Sequence, residues 1–236
     1  MSDPVLSHSA LETSAGAQER STAGAAAAAG PRFAGGPVML LLSAPSGAGK
    51  TTLCQELLRR RPTLARVVTC TTRPPRPGER DGVDYHFLDP DTYARRVAAG
   101  DFLEHATVYG HGYGTLRQEV LDRLRVGQDL LLNVDVQGAA AIRARAREEP
   151  LLQRALVTVF LTPPSLAVLE ARLRRRGTEA ESVLQRRLAM ARGEIAHWKD
   201  FDYLILSGSI TEDVERLEAI LDAEKLRSHR QQPPAL

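Results

Sequence analysis

The sequence has only two cysteines, Cys54 and Cys70. They lack the paired spacing of metal ligands, which excludes a disulfide framework and a zinc-finger pattern and suits a reducing, cytoplasmic setting. Neither charge is in surplus: 31 Lys and Arg stand against 29 Asp and Glu, a formal net charge of +2. Nucleic acid and anionic lipid usually select a basic surplus, so neither is an expected partner. The run Arg59 to Arg61 reads as a solvated helix end. No apolar run approaches the roughly 18 to 20 residues that span a bilayer, and no internal repeat is present. Lysine is scarce as well, at positions 50, 199 and 225 only, so arginine supplies nearly all the cationic side chains. Against that background a lysine kept inside a glycine-rich loop stands out.

What is there suits a soluble globular protein, with 43% hydrophobic and 25% charged residues over 236 positions and enough chain for one sizeable core. Of the first 36 residues, 20 are Ala, Gly or Ser. Such a stretch buries too little apolar surface to offset the entropy of ordering it, so 1–36 is expected to be a disordered extension. It lacks the basic start and long apolar centre of a secretory signal. Residues 228–236 are expected to be a flexible tail. Between them, Val38 to Leu42, Leu130 to Val134, Leu156 to Leu161 and Tyr203 to Leu206 are short continuous apolar runs, the pattern of strands covered on both faces.

Helical patterns alternate with these runs, at Lys50 to Arg61, Val136 to Arg147, Ser165 to Arg176, Thr178 to Trp198 and Thr211 to Arg227. Ser209 with Glu212 and Thr178 with Glu181 match the capping box, and Asp89 precedes a proline at a first helical position. Strand then helix, repeated, predicts an α/β fold with a parallel sheet between helices. From about Thr69 to Arg125 the rhythm breaks. That stretch, rich in Pro, Gly, Thr, Tyr and Arg, reads as a small inserted lobe with short antiparallel strands.

Directly after the first strand comes Ser43-Ala44-Pro45-Ser46-Gly47-Ala48-Gly49-Lys50-Thr51-Thr52, leading into a helix. Strand, glycine-rich loop and helix together make the setting of a P-loop. Its amides wrap a β-phosphate, Lys50 reaches β/γ oxygens and Thr51 offers a hydroxyl to Mg²⁺. Ala44 replaces the first glycine of the strict pattern. A P-loop names nucleotide and phosphoryl chemistry but leaves GTPase, motor ATPase and small-molecule kinase all open. Farther on, Thr69-Cys70-Thr71-Thr72-Arg73-Pro74-Pro75-Arg76-Pro77-Gly78-Glu79 carries two arginines on a stiff backbone, and Tyr85 and Tyr113 follow. Arginine forks pair with phosphate oxygens. Taken alone these residues read more often as a solvated face; together they suggest a second anion site.

These motifs, with Phe102-Leu103-Glu104-His105-Ala106, Tyr113-Gly114-Thr115, Asn133-Val134-Asp135-Val136-Gln137-Gly138 and Arg174-Arg175-Arg176-Gly177-Thr178, closely resemble guanylate kinase, in order from about Pro37 to Arg227. The resemblance implies a P-loop NTPase core at 37–68, 127–171 and 191–227, a mixed α+β GMP-binding lobe at 69–126 and a helical lid at 172–190. It implies transfer of the γ-phosphoryl group of ATP to GMP or dGMP, with ATP and Mg²⁺ as cofactors and no nucleic acid or membrane partner; monomer and homo-oligomer stay open.

The roles it implies are residue by residue. Ala44, Pro45, Ser46, Gly47, Ala48, Gly49, Lys50, Thr51 and Thr52 would hold ATP. Arg73, Arg76, Tyr85 and Tyr113 would hold the GMP phosphate, and Thr69, Glu104, Thr115 and Asp135 would face guanine or its surroundings. Lys50, Arg172, Arg176 and Arg187 would be catalytic, and Thr51 and Asp135 would serve the metal. Asn133 stands where the family usually carries an acidic residue, and Leu206-Ser207-Gly208-Ser209 replaces its Asn-Asp-Asp-like segment near the adenine. Two alternatives stay in view. A related kinase with another acceptor is favoured if Glu104 and Asp135 do not converge. A protein-binding module of the same fold tends to lose the loop lysine, which this sequence keeps.

Overall fold

The computed structural model describes residues 35–108, 110–175 and 181–232. Along the chain, β1 (Met39–Ser43), α1 (Lys50–Arg60) and β2 (Leu64–Arg66) come first. A second stretch carries β3 (Cys70–Thr71), β4 (His86–Phe87), α2 (Pro90–Ala99), β5 (Phe102–Val108), β6 (His111–Leu116) and α3 (Arg117–Arg125). Then follow β7 (Asp129–Asn133), α4 (Val136–Ala146), α5 (Pro150–Ala155), β8 (Leu156–Thr162), α6 (Leu166–Arg175), α7 (Glu181–Ala196), β9 (Tyr203–Leu206) and α8 (Ile210–Lys225).

Five parallel strands form the main sheet in the order β2-β7-β1-β8-β9. The four apolar runs read from the sequence all lie in it, but the last, β9, is at the sheet edge and leaves Leu204 and Leu206 exposed instead of covered on both faces. Every residue of β1 is buried because each face of the strand meets its own core. Leu40 and Leu42 pack with Leu53, Leu57, Val159 and Leu217, while Met39 and Leu41 pack with Leu121, Leu130, Leu132 and Ile142. Burial on both faces is the physical reason for a continuous rather than alternating pattern. β2, at three residues on the sheet edge, is too short to show a period, and α3 is too polar outside Val120, Leu121 and Leu124.

The second sheet has the order β4-β3-β6-β5. β6 pairs antiparallel with β3 and β5, as expected of the lobe, but β4 joins β3 in parallel. The long proline- and glycine-rich excursion between β3 and β4 allows that crossover. Asp89 caps α2 by accepting from Thr92 N–H at 2.8 Å, and Ser209 with Glu212 forms the predicted capping box on α8. The predicted cap at Thr178 lies outside the described residues. α6 and α7 bury Leu169, Leu173, Leu184, Leu188 and Ala191 in a small cluster of their own. No described helix is long and apolar enough to cross a membrane.

The first residues past α8 dock instead of fraying. Arg230 is buried; its Nε donates to the Arg154 carbonyl at 3.1 Å and its Nη1 to both the carbonyl and the carboxylate of Glu224. Gly36 N–H donates to the Arg230 carbonyl at 2.7 Å. Composition gave no hint of this, because one arginine supplies enough donors to fasten the segment.

Candidate active site

The loop after β1 turns through two left-handed glycines, Gly47 at φ 92° and Gly49 at φ 96°. Residues with a Cβ are strained in that region. At Gly47 a Cβ would also stand 2.5 Å from the Leu173 side chain of α6. Gly49 caps α1, so the first free amides of that helix face the same space as the loop amides. Residues 44–52 line a cavity of about 410 Å³ together with Asp135 and Glu194.

Lys50 Nζ donates to the Val134 carbonyl at 2.9 Å, which draws it to the end of β7. Burial pushes its pKa down, and Cys54, Asp135 and Glu194 pull it back up. Asp135 caps α4 by accepting from Gly138 N–H at 2.8 Å. Glu194 Oε2 accepts from Ser46 N–H at 3.2 Å. A second cavity of about 320 Å³ lies on the other side of Gly47–Gly49, between the loop, Arg172, Arg175 and the Ser207–Ile210 turn. There Arg172 Nη1 donates to Ser207 Oγ at 3.0 Å.

The lobe builds the other half. On β6 the glycines face one way and the functional side chains the other. A Cβ on Gly112 would meet the Tyr93 ring at 2.5 Å, and one on Gly114 would meet Phe102 at 2.8 Å. Tyr93 and Phe102 thus press against the bare backbone, and Tyr93 fixes it by donating to the Tyr113 carbonyl at 2.9 Å. That leaves Tyr113 and Thr115 together on the opposite face. Thr115 Oγ1 donates to Glu104 Oε1 at 2.6 Å, directly across the strand pair. Glu104 is buried, and burial pushes its pKa up; the Thr115 hydroxyl opposes this, and Asp135 adds to it. A Cβ built on Gly138 would lie 3.3 Å from Glu104 Oε2 and 3.5 Å from Asp135 Oδ1, so the two carboxylates converge on one spot.

Arg73 stands over the Tyr85 ring at 5.4 Å, and Tyr85 meets Tyr113 edge-on at 6.2 Å. Glu79 grips the Arg73 fork with bonds of 2.9 and 3.0 Å and accepts from Arg76 N–H at 2.7 Å. It keeps the Arg73 guanidinium above its ordinary pKa, with Tyr113 assisting.

Most predicted residues are therefore brought together: the loop, Lys50 and Asp135 in one cavity, and Arg73, Tyr85, Tyr113, Thr115 and Glu104 in one connected cluster that meets Asp135. The Arg76 side chain is exposed, and its main chain serves the loop. Thr69 accepts from His86 N–H through its carbonyl, and Arg187 is half-buried on α7. Arg176 lies outside the described residues. Sequence reasoning missed Glu194 and the clamp of Glu79. Nothing local marks the first on a mixed helix, whereas the second sits three residues from Arg76 in the quoted motif. Asn133 is exposed at the end of β7, which leaves Asp135 and Glu194 as the carboxylates lining the cavity among the described residues.

Comparison with known proteins agrees with this arrangement. The family described as guanylate kinase matches residues 37–224. The chain is 45% identical over 194 residues to a guanylate kinase of Sphingopyxis alaskensis, covering 82% of this chain and 86% of the relative. It is 43% identical over 193 residues to one of Maricaulis maris, with the same coverage. A crystal structure of guanylate kinase from Anaplasma phagocytophilum superposes with a TM-score of 0.65 at 33% identity, covering 84% of this chain and 92% of that one. This chain belongs to the guanylate kinase family, ATP-dependent nucleoside monophosphate kinases built on a P-loop α/β fold.

Proposed function

We propose that this chain transfers the γ-phosphoryl group of ATP to GMP and dGMP, giving ADP and the corresponding diphosphate. The observation that carries this reading is the convergence of Glu104, held by Thr115, and Asp135 on one spot beside Gly138, with Asp135 lining the same cavity as Lys50 and the P-loop. The amides of 46–52 and Lys50 hold the donor triphosphate. Arg73, Tyr85 and Tyr113 receive the acceptor phosphate, with Arg76 on the same loop. An oxygen of that phosphate attacks the γ-phosphorus, the bond to the β–γ bridging oxygen breaks, and the electron pair leaves with ADP. An anionic acceptor needs no strong base. The difficulty is bringing negative groups together, and Lys50 with Arg172, Arg176 and Arg187 would supply the opposing field; one well-placed arginine in this chemistry contributes on the order of 10³ to 10⁵ in rate.

Glu104, held by Thr115, accepts from the N1–H and the exocyclic amine of guanine. Adenine offers a lone pair at the first position and no amine at the second, an uncompensated loss of roughly 1 to 3 kcal/mol. For the metal, the Thr51 hydroxyl and the Asp135 carboxylate are hard oxygen donors on the same cavity. The described residues contain no cluster of three or more metal-binding side chains. That donor set suits Mg²⁺, which needs few protein groups; Thr51 and Asp135 would hold it, and it would supply charge neutralisation for the donor phosphates. Both thiols are free and buried, with Cys54 pushed up to about 11 and Cys70 to about 12, which fits a reducing cytoplasm. A protein-binding module would have no use for a loop lysine aimed at a phosphate cavity. Coupled ADP-release assays on GMP, dGMP, AMP and UMP test the reading. GMP and dGMP are expected to turn over well, and preference for AMP or UMP would overturn it.

A further inference from the structure

The P-loop cavity holds one charged group that the proposed reaction leaves unused. Glu194, near the end of α7, reaches across to accept from Ser46 N–H and lines the same cavity as Lys50 and Asp135. Asp135 is committed to capping α4, but Glu194 is held by the phosphate loop itself. Burial raises its pKa, while the Ser46 amide and Lys50 favour the ionised form. An anionic oxygen accepting from a loop amide beside a lysine is the same kind of guest as a phosphate oxygen. Two such anions cannot share one amide and repel each other at that distance.

We propose that Glu194 is an internal competitor of the phosphoryl donor: it occupies an anion position in the P-loop cavity, and the triphosphate must displace it, so that donor binding and release of Glu194 from the loop are one event. The proposal rests on the reading of the loop as the ATP site. It makes Glu194 a competitor of ATP in the ground state and irrelevant to the transfer step once displaced. A glutamine keeps the shape but bonds Ser46 N–H about half as strongly and carries no charge. Aspartate keeps the charge but is one methylene shorter.

The test is calorimetric titration of the full chain with Mg·ATP in the absence of acceptor, comparing wild type, Glu194→Gln, Glu194→Asp and Lys50→Ala, together with steady-state kinetics. Glu194→Gln is expected to bind ATP about tenfold more tightly, from the weakened competing bond, with KM for ATP lowered and kcat and KM for GMP unchanged; Glu194→Asp falls between. ATP affinity that is unchanged or weaker in Glu194→Gln overturns the proposal. A wild type that does not bind ATP overturns the reading of the loop instead. Trp198, the one tryptophan of the chain, lies four residues beyond Glu194 and gives a readout that needs no variant. Mg·ATP is expected to change its emission in the wild type, and saturation without any change also overturns the proposal.

Discussion

Replacing Glu104 with glutamine separates the two things that residue does, recognising guanine and paying for burial. The side chain is 9% exposed and held at 2.6 Å by Thr115, whose hydroxyl can accept as well as donate, so the amide can turn its nitrogen to Thr115 and keep an oxygen toward the base. What is lost is the charge. Hydrogen bonds to a charged group contribute about 1.5 to 3 kcal/mol and neutral ones about 0.5 to 1.5. With two guanine donors addressed, the loss is roughly 1 to 3 kcal/mol, or roughly 5- to 150-fold in kcat/KM for GMP. KM for ATP is expected to stay where it was.

Stability moves the other way. A carboxyl whose folded pKa is raised above the ordinary 4.5 binds its proton more readily in the native state, so wild-type stability falls as pH rises from about the unfolded value through the raised one. Glu104→Gln lacks this penalty. Its thermal midpoint is expected to exceed that of the wild type by a margin that opens across that window and is absent in acid. Kinetics on GMP and AMP, with melting curves from pH 4 to 8, measure both effects. A variant that keeps full kcat/KM for GMP, or whose midpoint falls below the wild type at neutral pH, would refute the reasoning.

Lys50→Ala is expected to abolish turnover without lowering the thermal midpoint, since it removes a half-buried cation whose charged form is disfavoured by partial desolvation; residual turnover above a percent or so of wild type counts against its role. Gly47→Ala places a Cβ in left-handed backbone and 2.5 Å from Leu173, so it is expected to lose about 1 to 3 kcal/mol of stability, read as a lower melting midpoint, and ATP affinity with it. Arg230→Met removes the buried cationic partner of the Glu224 carboxylate and leaves it the Tyr203 hydroxyl, at an expected cost of about 3 to 5 kcal/mol with activity per folded molecule unchanged. Burial alone would raise the Glu224 pKa, but Tyr203 and Arg230 bring it below 4.5. The stability it contributes is therefore present above that value and lost as pH falls through the lower folded one, which acid unfolding of wild type and variant can measure.

The main sheet was legible in the sequence because burial on both faces leaves an uninterrupted apolar run in β1, β7 and β8, while β9 carries such a run at the sheet edge although Leu204 and Leu206 are exposed. β2 and α5 were not legible, since three residues of strand and six of helix each hold less than two periods of their own pattern. The parallel pairing of β3 and β4 escaped for another reason: two-residue strands take their direction from the loop between them, which carries no hydrophobic signal.

The site divides along the same line. Gly47, Gly49 and Lys50 announce themselves because main-chain conformation and phosphate approach restrict residue type within one short segment. Glu104 does not, since a carboxylate on a strand is ordinary until Thr115 is opposite it and Gly138 lets Asp135 come alongside, and those partners are 11 and more than 30 residues away. Glu194 is the extreme case. It is placed by the packing of Leu184, Leu188 and Ala191 against α6, whose own Leu173 covers the bare face of Gly47, so α6, α7 and the P-loop are shaped against each other. A group whose role depends on that mutual fit can be found only once the helices are in place. It follows that substitutions in the α6–α7 cluster, far from any phosphate, should alter ATP affinity through Glu194 before they alter the rate of transfer.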